Sequence, residues 1–297
     1  MLDDHVSFDI LTPRLFWRIT GKELNSKKEG NQMDYQKALL EVYQSQYPNG
    51  ICGKMEDCSK GMPNAGHRCS IAKIGCNYGK TGKPKVLFVG KEGISDSGGS
   101  MATTISEPAA MEDIDRDNWH YIGTIYTAAL LLTDANPSAE RICWDEMRSF
   151  SELRHDFCLT NYFKCAFKTK DQQEKHHDVK TNLQMSKNCA KILLEEIRAI
   201  QPDIVVVQGK FCHSSFWNKN GLCSFAKEET RYEPTEKGWN ITAGRYEFFP
   251  DGPYFYVIWS FHPCARGRKW FHSLSAFHEV ITQVKDDWKA NPENLER

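Results

Sequence analysis

The chain has 297 residues, with 38 Lys and Arg against 39 Asp and Glu, and a mean hydropathy of −0.58. This length suits one or two domains, and the balanced charge excludes a polycationic tail while leaving room for a local basic groove. The apolar runs, such as VLFVG at 86–90, are too short to span a bilayer, and the first ten residues are acidic where an export signal is basic. We therefore expect a cytoplasmic protein without a membrane partner.

Helices and strands are predicted to alternate along the chain after an N-terminal arm at residues 1–50. Apolar residues recur at helical spacing, or form helix-length apolar runs, in four segments: 33–46, 121–133, 185–200 and 270–288. Short apolar runs predict strands at 85–90, 158–165, 204–209 and 254–263. The order favours an open α/β sheet in a domain over 51–297. Residues 94–118 are irregular, and 212–250 have no clear pattern.

Ligands of open α/β sheets bind beyond the carboxyl ends of the strands, so the residues there are candidates for chemistry. Glu92 follows the first strand and is suited to act as a general base or to stabilise a cation. Asn161 lies near the end of the second and offers a donor and an acceptor. Gly209–Lys210 follows the third, and His262 follows the fourth as a possible donor. Each, taken alone, is also typical of an ordinary loop or structural residue.

A basic turn follows His262. It contains Arg266, Arg268 and Lys269, three positive charges in four residues. Such a turn suits contact with phosphates, although an ordinary exposed turn has the same composition.

The 11 cysteines are an odd number in a chain with no export signal, so a disulfide framework is not expected. Cys52, Cys58, Cys69 and Cys76 precede the first strand, and Cys165 and Cys189 flank a charged loop. Four thiolates suit zinc or an iron–sulfur cluster, although these spacings are not those of zinc ribbons. We expect the cysteines without a pattern to be buried and apolar in character: Cys143, Cys158, Cys212 and Cys223.

Five segments in order resemble motifs of the uracil-DNA glycosylase superfamily, most closely its iron–sulfur branch. They are KVLFVGKEG at 85–93, HYIGTIYTAALLL at 120–132, LTNYFKC at 159–165, CAKILLEEIRAIQPDIVVVQG at 189–209 and WSFHPCARGR at 259–268. The resemblance implies a three-layer α/β/α fold with a central, mostly parallel four-stranded sheet. It also implies a monofunctional enzyme that cleaves the N-glycosidic bond of a base flipped out of DNA.

Residue roles follow from the same resemblance. Gly90, Tyr121 and Asn161 would line the base pocket, with Tyr121 stacking on the base and Asn161 reading its edge. Glu92 would orient water and His262 would donate to the leaving base, while Arg266, Arg268 and Lys269 would grip DNA. The resemblance further implies a [4Fe–4S] cluster on Cys69, Cys76, Cys165 and Cys189, with Cys58 the next candidate and structural zinc the alternative.

The departures from the family pattern bear on the substrate. The first motif lacks its proline, carries Glu92, and is followed by an insertion at about 94–118. The resemblance therefore favours a bulky modified pyrimidine, such as glucosylated hydroxymethylcytosine in phage DNA, over uracil or another deaminated base. Two alternative hypotheses remain: an inert or covalent DNA-binding module, and a structural zinc protein. We expect a monomer without a nucleotide cofactor, since SDSGGS at 95–100 is not a phosphate-binding loop.

Overall fold

The computed structural model describes the larger part of the chain in several stretches. These are residues 32–47, 52, 54, 57–58, 70–80, 82–92, 119–164, 183–209, 227–237, 241–247, 254–261 and 273–291.

A seven-stranded mixed sheet forms the centre of the described structure. Its strands are β1 (Lys73–Ile74), β2 (Val86–Glu92), β3 (Phe157–Phe163), β4 (Ile204–Gln208), β5 (Lys227–Tyr232), β6 (Thr242–Glu247) and β7 (Phe255–Ser260). Their order across the sheet is β1-β3-β2-β4-β7-β6-β5. The four strands β3, β2, β4 and β7 are parallel neighbours, whereas β1, β6 and β5 pair antiparallel at the two sides.

Helices cover both faces of this sheet. They are α1 (Gln32–Gln46), α2 (Trp119–Leu132), α3 (Trp144–Ser149), α4 (Leu183–Ile200) and α5 (Leu274–Ala290), with a 3-10 helix at Ser151–His155. Helices α1 and α4 pack together on the first face and enclose a core that we call the first core. Helices α2 and α5 pack together on the second face and enclose the second core.

Burial explains why the central elements form where they do. All five residues of β4 are buried, as expected for a parallel strand that is covered on both faces. Every residue from Tyr121 to Leu132 in α2 is buried, so this helix is apolar all round rather than amphipathic. Helix α4, by contrast, has a buried side with Leu193 and Ile197 and an exposed side.

The expected four-stranded, mostly parallel sheet is corrected to a mixed sheet of seven strands. The four predicted strands are present and form its parallel centre. The missing ones are β1, which has two residues, and the hairpin β5–β6 in the segment that had no clear pattern. Periodicity does not reveal β1 because two residues carry no alternation, and β5 is a polar edge strand with an exposed surface.

The described part of the N-terminal arm contributes to the first core. Tyr43 of α1 is completely buried, and its hydroxyl donates to Glu196 Oε1 of α4 at 2.6 Å. Helix α1 therefore packs as part of the α/β unit. None of the helices within the described stretches is long and apolar enough to cross a membrane.

Candidate active site

Four residues lie level with one another where the parallel strands approach their carboxyl ends. Gly90 of β2 is the register partner of Asn161 of β3, and Gln208 of β4 is the partner of Ser260 of β7. The pairing of β2 with β4, continued by one residue, makes Gly90 level with Gln208. Each follows a second-core residue, or one packed against that core, by two positions, so all four lie on that face. We call Asn161, Gly90, Gln208 and Ser260 the polar row.

Asn161 and Gly90, two of the residues predicted to line the base pocket, fit closely against each other. A Cβ atom built on Gly90 would lie 2.7 Å from Asn161 Oδ1, so any side chain here would displace the carboxamide. The Asn161 Nδ2 group donates to Ser70 Oγ at 2.9 Å. The carboxamide oxygen therefore lies over Gly90, while the nitrogen is held by the segment that precedes β1.

Gln208 and Thr124 form a second polar contact in this region. Gln208 Nε2 donates to Thr124 Oγ1 at 2.9 Å, and both residues are almost completely buried. Thr124 lies in α2, so this hydrogen bond joins the polar row to the helix above it. The strand-end rule did not select Gln208, Ser260 or Thr124, because it concerns the residues that follow each strand. Gln208 and Ser260 are the last residues of their strands, and Thr124 lies in a helix. The available signal was a polar residue at the end of the apolar run IVVV and a threonine in an apolar helix.

Tyr121 precedes Thr124 by three residues, which places the two side chains on the same side of α2. It is 3% exposed and belongs to the second core. Burial raises the pKa of its phenol, while the charge of Arg154 lowers it and that of Glu152 raises it. Tyr121 is thus a neutral aromatic residue about one helical turn from Thr124, the residue that bonds Gln208.

A buried ion pair lies on the opposite face of β3. Lys164 and Glu196 are both 0% exposed, and Lys164 Nζ lies 2.5 Å from Glu196 Oε2. Thr160 Oγ1 donates to the same oxygen at 3.0 Å and accepts from Lys164 at 2.7 Å. Tyr43 donates to the other carboxylate oxygen and accepts from the Ala72 N–H at 2.5 Å. Every described charge here has a partner, which is the condition for tolerating buried ions.

Three cysteines approach one another beside this ion pair. Cys52, Cys58 and Cys189 are buried, and a thiolate at either of the first two would raise the pKa of Cys189. Burial raises the pKa of Cys189 to about 12, against a lowering by the Lys164 backbone N–H and by the Lys164 charge. Burial also raises the pKa of Cys58. Burial therefore favours the protonated form of Cys58 and Cys189.

Each of the three sulfurs accepts a hydrogen bond from a nitrogen. The contacts are Lys54 N to Cys52 Sγ at 3.4 Å, Asn188 Nδ2 to Cys58 Sγ at 3.2 Å and Lys164 N to Cys189 Sγ at 3.4 Å. Donors directed at sulfur favour the thiolate, which is the form that binds metals. Within the described residues, however, no three His, Cys, Asp or Glu side chains form a group that could hold a metal ion.

Cys76 lies elsewhere. It is exposed in the turn after β1, where the Asn77 N–H donates to the carbonyl of His155 just before β3 begins. Cys189 contacts Lys164, directly after β3 ends. Seven strand residues separate these ends, which corresponds to about 20 Å. The structure therefore does not bring Cys76 together with Cys189, and Cys58 lies beside Cys189 instead.

Several predicted site residues are not described. His262, Arg266, Arg268, Lys269, Cys69 and Cys165 lie outside the described residues, as do the insertion at 94–118, Cys212 and Cys223. The backbone of Glu92 continues β2 opposite Phe163, two residues beyond the predicted end of the strand. Of the cysteines expected to be buried and apolar, Cys158 is buried, whereas Cys143 is exposed.

Residues 116–285 match the family model described as the Uracil DNA glycosylase superfamily, which is more than half of the 297 residues. The match includes Tyr121, Asn161, Gln208 and Ser260. Gly90, Glu92 and the cysteines from Cys52 to Cys76 precede it. No curated protein matches the chain.

Proposed function

Because the chain belongs to the uracil-DNA glycosylase superfamily, we propose that it is a monofunctional DNA glycosylase that hydrolyses the N-glycosidic bond of a flipped-out pyrimidine. Members of the superfamily are typically DNA glycosylases, so membership itself indicates a glycosylase-type function with DNA as the substrate. The observation that carries the residue assignment is the fit of Asn161 over Gly90, because it presents a carboxamide oxygen at the carboxyl edge of the parallel strands.

Each pocket residue has one role in this proposal. Cleavage develops positive charge on the sugar and negative charge on the departing base, after the base has left the stack at a cost of a few kcal/mol. Asn161 hydrogen-bonds the edge of the base and Tyr121 provides an aromatic wall. Glu92 orients the attacking water and stabilises the sugar cation. His262 donates a hydrogen bond to the oxygen of the leaving base.

The contacts to the duplex are assigned to the basic turn. Arg266, Arg268 and Lys269 would neutralise phosphates beside the pocket and help to hold the duplex open. This assignment rests on the charge pattern of the sequence and on the resemblance.

We propose that the cysteines hold a structural [4Fe–4S] cluster, with zinc as the alternative. The buried position of Cys58 and Cys189 and the N–H donors at their sulfurs fit a thiolate-bound group. Cys58 and Cys189 alone do not complete a site. The proposed set therefore also includes Cys165, which follows Lys164, and Cys69, which precedes Ser70. The group would hold together the segments that carry its ligands, and binding would displace the protons from these thiols.

The substrate that we favour is a bulky modified pyrimidine such as glucosylated hydroxymethylcytosine in phage DNA, with removal of the base serving defence. The long chain segment between Gly90 and Tyr121, which are 31 residues apart, supports this choice. A long segment that leads from one pocket residue to the next can enlarge the pocket. Excision of uracil or another deaminated base is the alternative.

The test uses three DNAs that contain uracil, unmodified cytosine or glucosylated hydroxymethylcytosine. Each is incubated with the protein and then assayed for alkali-labile abasic sites. Cleavage confined to the glucosylated base supports the defence assignment, and cleavage at uracil replaces it with repair. Asn161→Ala, purified in parallel, controls for contaminating host glycosylases. Binding without cleavage of any DNA would overturn the enzyme assignment and favour a DNA-binding module.

The cofactor is tested separately by colour, metal content and single Cys→Ser variants. An iron–sulfur protein is brown and contains iron, whereas a zinc protein is colourless. Cys58→Ser and Cys189→Ser should lose the metal, and Cys76→Ser is the matched control that should keep it. Equal retention of metal in all three variants would overturn the assignment of these ligands.

A further inference from the structure

Ser70 lies beside β3 and bonds two residues at the carboxyl end of this strand. It is 5% exposed and precedes β1 by two residues. Its Oγ accepts a hydrogen bond from Asn161 Nδ2 at 2.9 Å, across 91 positions of sequence. Its backbone N–H donates to the carbonyl of Lys164 at 2.6 Å. The position of the hydroxyl is therefore set by a main-chain contact at the end of β3.

We propose that Ser70 is a positioning residue that holds the Asn161 carboxamide in its reading orientation; this rests on the proposed function of Asn161. With Nδ2 bonded to Ser70, Oδ1 lies over Gly90. An exposed asparagine side chain rotates about its terminal bond, and ordering it on binding costs free energy. A carboxamide held before the base arrives avoids this cost.

The orientation also defines the chemistry of the base that is read. Oδ1 is an acceptor, so the site favours a base that directs an N–H donor toward the space above Gly90. The ring N3–H of uracil and the exocyclic amino group of cytosine-type bases are such donors. A base with only acceptors at that edge is disfavoured.

The backbone of Lys164 connects this contact to the buried thiols. Its carbonyl accepts from Ser70, and its N–H donates to Cys189 Sγ at 3.4 Å. Three consecutive hydrogen bonds thus lead from Asn161 through Ser70 and Lys164 to Cys189. The segment that carries Ser70 is in this way attached to the cysteine side of the sheet.

A double-mutant cycle tests the proposal. Ser70→Ala should lower the single-turnover rate of excision about 10-fold, the value of one hydrogen bond, on whichever DNA the wild type cleaves. In the Asn161→Ala background the same substitution should have no further effect, since Ser70 acts through Asn161. Ser70→Thr, which keeps the hydroxyl, should restore most of the rate. An equal loss in both backgrounds would overturn the positioning role.

Ser186→Ala is the matched control, because Ser186 is also buried and contacts Tyr162 instead of the polar row. It should leave the rate unchanged. Thermal unfolding of all variants separates a folding defect from a loss of positioning.

A spectroscopic arm keeps this test independent of the proposed function. In protein labelled with 15N-asparagine, the side-chain amide signals of Asn161 are identified by their loss in Asn161→Asp. Hydrogen bonding to Ser70 should slow their exchange with solvent, and Ser70→Ala should accelerate it several-fold while Ser186→Ala does not. Unchanged exchange would overturn the contact even in an active enzyme, and protection without any excision would overturn the glycosylase assignment alone.

Discussion

The two faces of β3 differ in how deeply their polar side chains are buried. On the first-core face, Thr160 and Lys164 join Glu196 in a network whose members are fully buried and bonded to one another. On the second-core face, Asn161 is only partly buried and lies over a glycine. Alternation of side chains lets one strand do both, since Asn161 follows Thr160 directly. Strand β3 therefore has a buried, fully bonded network on one face and the residue proposed to contact the substrate on the other.

The polar row shows the same division along the sheet. Gln208 uses Nε2 to bond Thr124 inside the protein, whereas Asn161 is attached to a segment from outside the parallel strands. Substitutions in the polar row should therefore act more strongly on activity than on stability, and substitutions in the first-core network should act mainly on stability.

The largest effect is expected for Glu92→Gln, which removes the proposed base at the end of β2. The single-turnover rate of excision should fall by about 10²–10⁴-fold because a neutral amide neither orients water as a base nor stabilises the sugar cation. Binding to DNA, measured by fluorescence anisotropy, should be retained. Glu228→Gln on the exposed edge strand β5 is the control and should have normal activity. A normal rate for Glu92→Gln would remove this residue from the mechanism.

Lys164→Met should lower the free energy of unfolding by about 3–5 kcal/mol, because it leaves the Glu196 carboxylate buried without its counter-charge. Denaturant unfolding measures the change. Lys83→Met is the control, since Lys83 forms an ion pair with Asp156 that is open to solvent on the lysine side, and its loss should cost less than about 1 kcal/mol. A similar loss of unfolding free energy in the two variants would show that the first-core network does not contribute more to stability than an exposed ion pair.

Gly90→Ala should displace Asn161, because the new Cβ would lie 2.7 Å from its Oδ1. We expect a loss of about 1–3 kcal/mol in stability and at least a 10-fold loss in excision rate. Gly82→Ala is the comparison: its φ of +82° disfavours alanine, but nothing lies within 4 Å. That variant should lose stability and keep its rate, and equal rates in both variants would argue against a pocket above Gly90.

Arg268→Ala should have the smallest effect on the chemical step and weaken DNA binding alike for all sequences. The slope of log affinity against log salt concentration should fall by about 1, as for the loss of one phosphate contact. Arg231→Ala in β5 serves as the control, since Arg231 pairs with Glu233 on the exposed edge. An unchanged slope for Arg268→Ala would place the basic turn away from DNA.

The residue pattern alone was enough to predict the order of the main elements and the edge of the sheet that carries the candidate residues. Apolar runs and periodicity predicted β2, β3, β4 and β7 and the helices α1, α2, α4 and α5 to within a few residues, but not α3 or the 3-10 helix. The strand-end rule selected Asn161, and the family resemblance added Gly90. These features are local, because a strand or helix is encoded by near neighbours in the chain. The family resemblance added the expectation of a glycosylase, with which the match over 116–285 agrees.

Which distant residues meet depends on the tertiary structure. Ser70 and Asn161 are 91 positions apart, and Tyr43 and Glu196 are 153 positions apart. The residue types alone do not predict that these side chains form hydrogen bonds with each other. The same holds for the thiols, among which Cys58 rather than Cys76 lies beside Cys189, and for the edge strands β1 and β5–β6. Such contacts depend on how the chain crosses the sheet, and residue pattern alone does not encode that path.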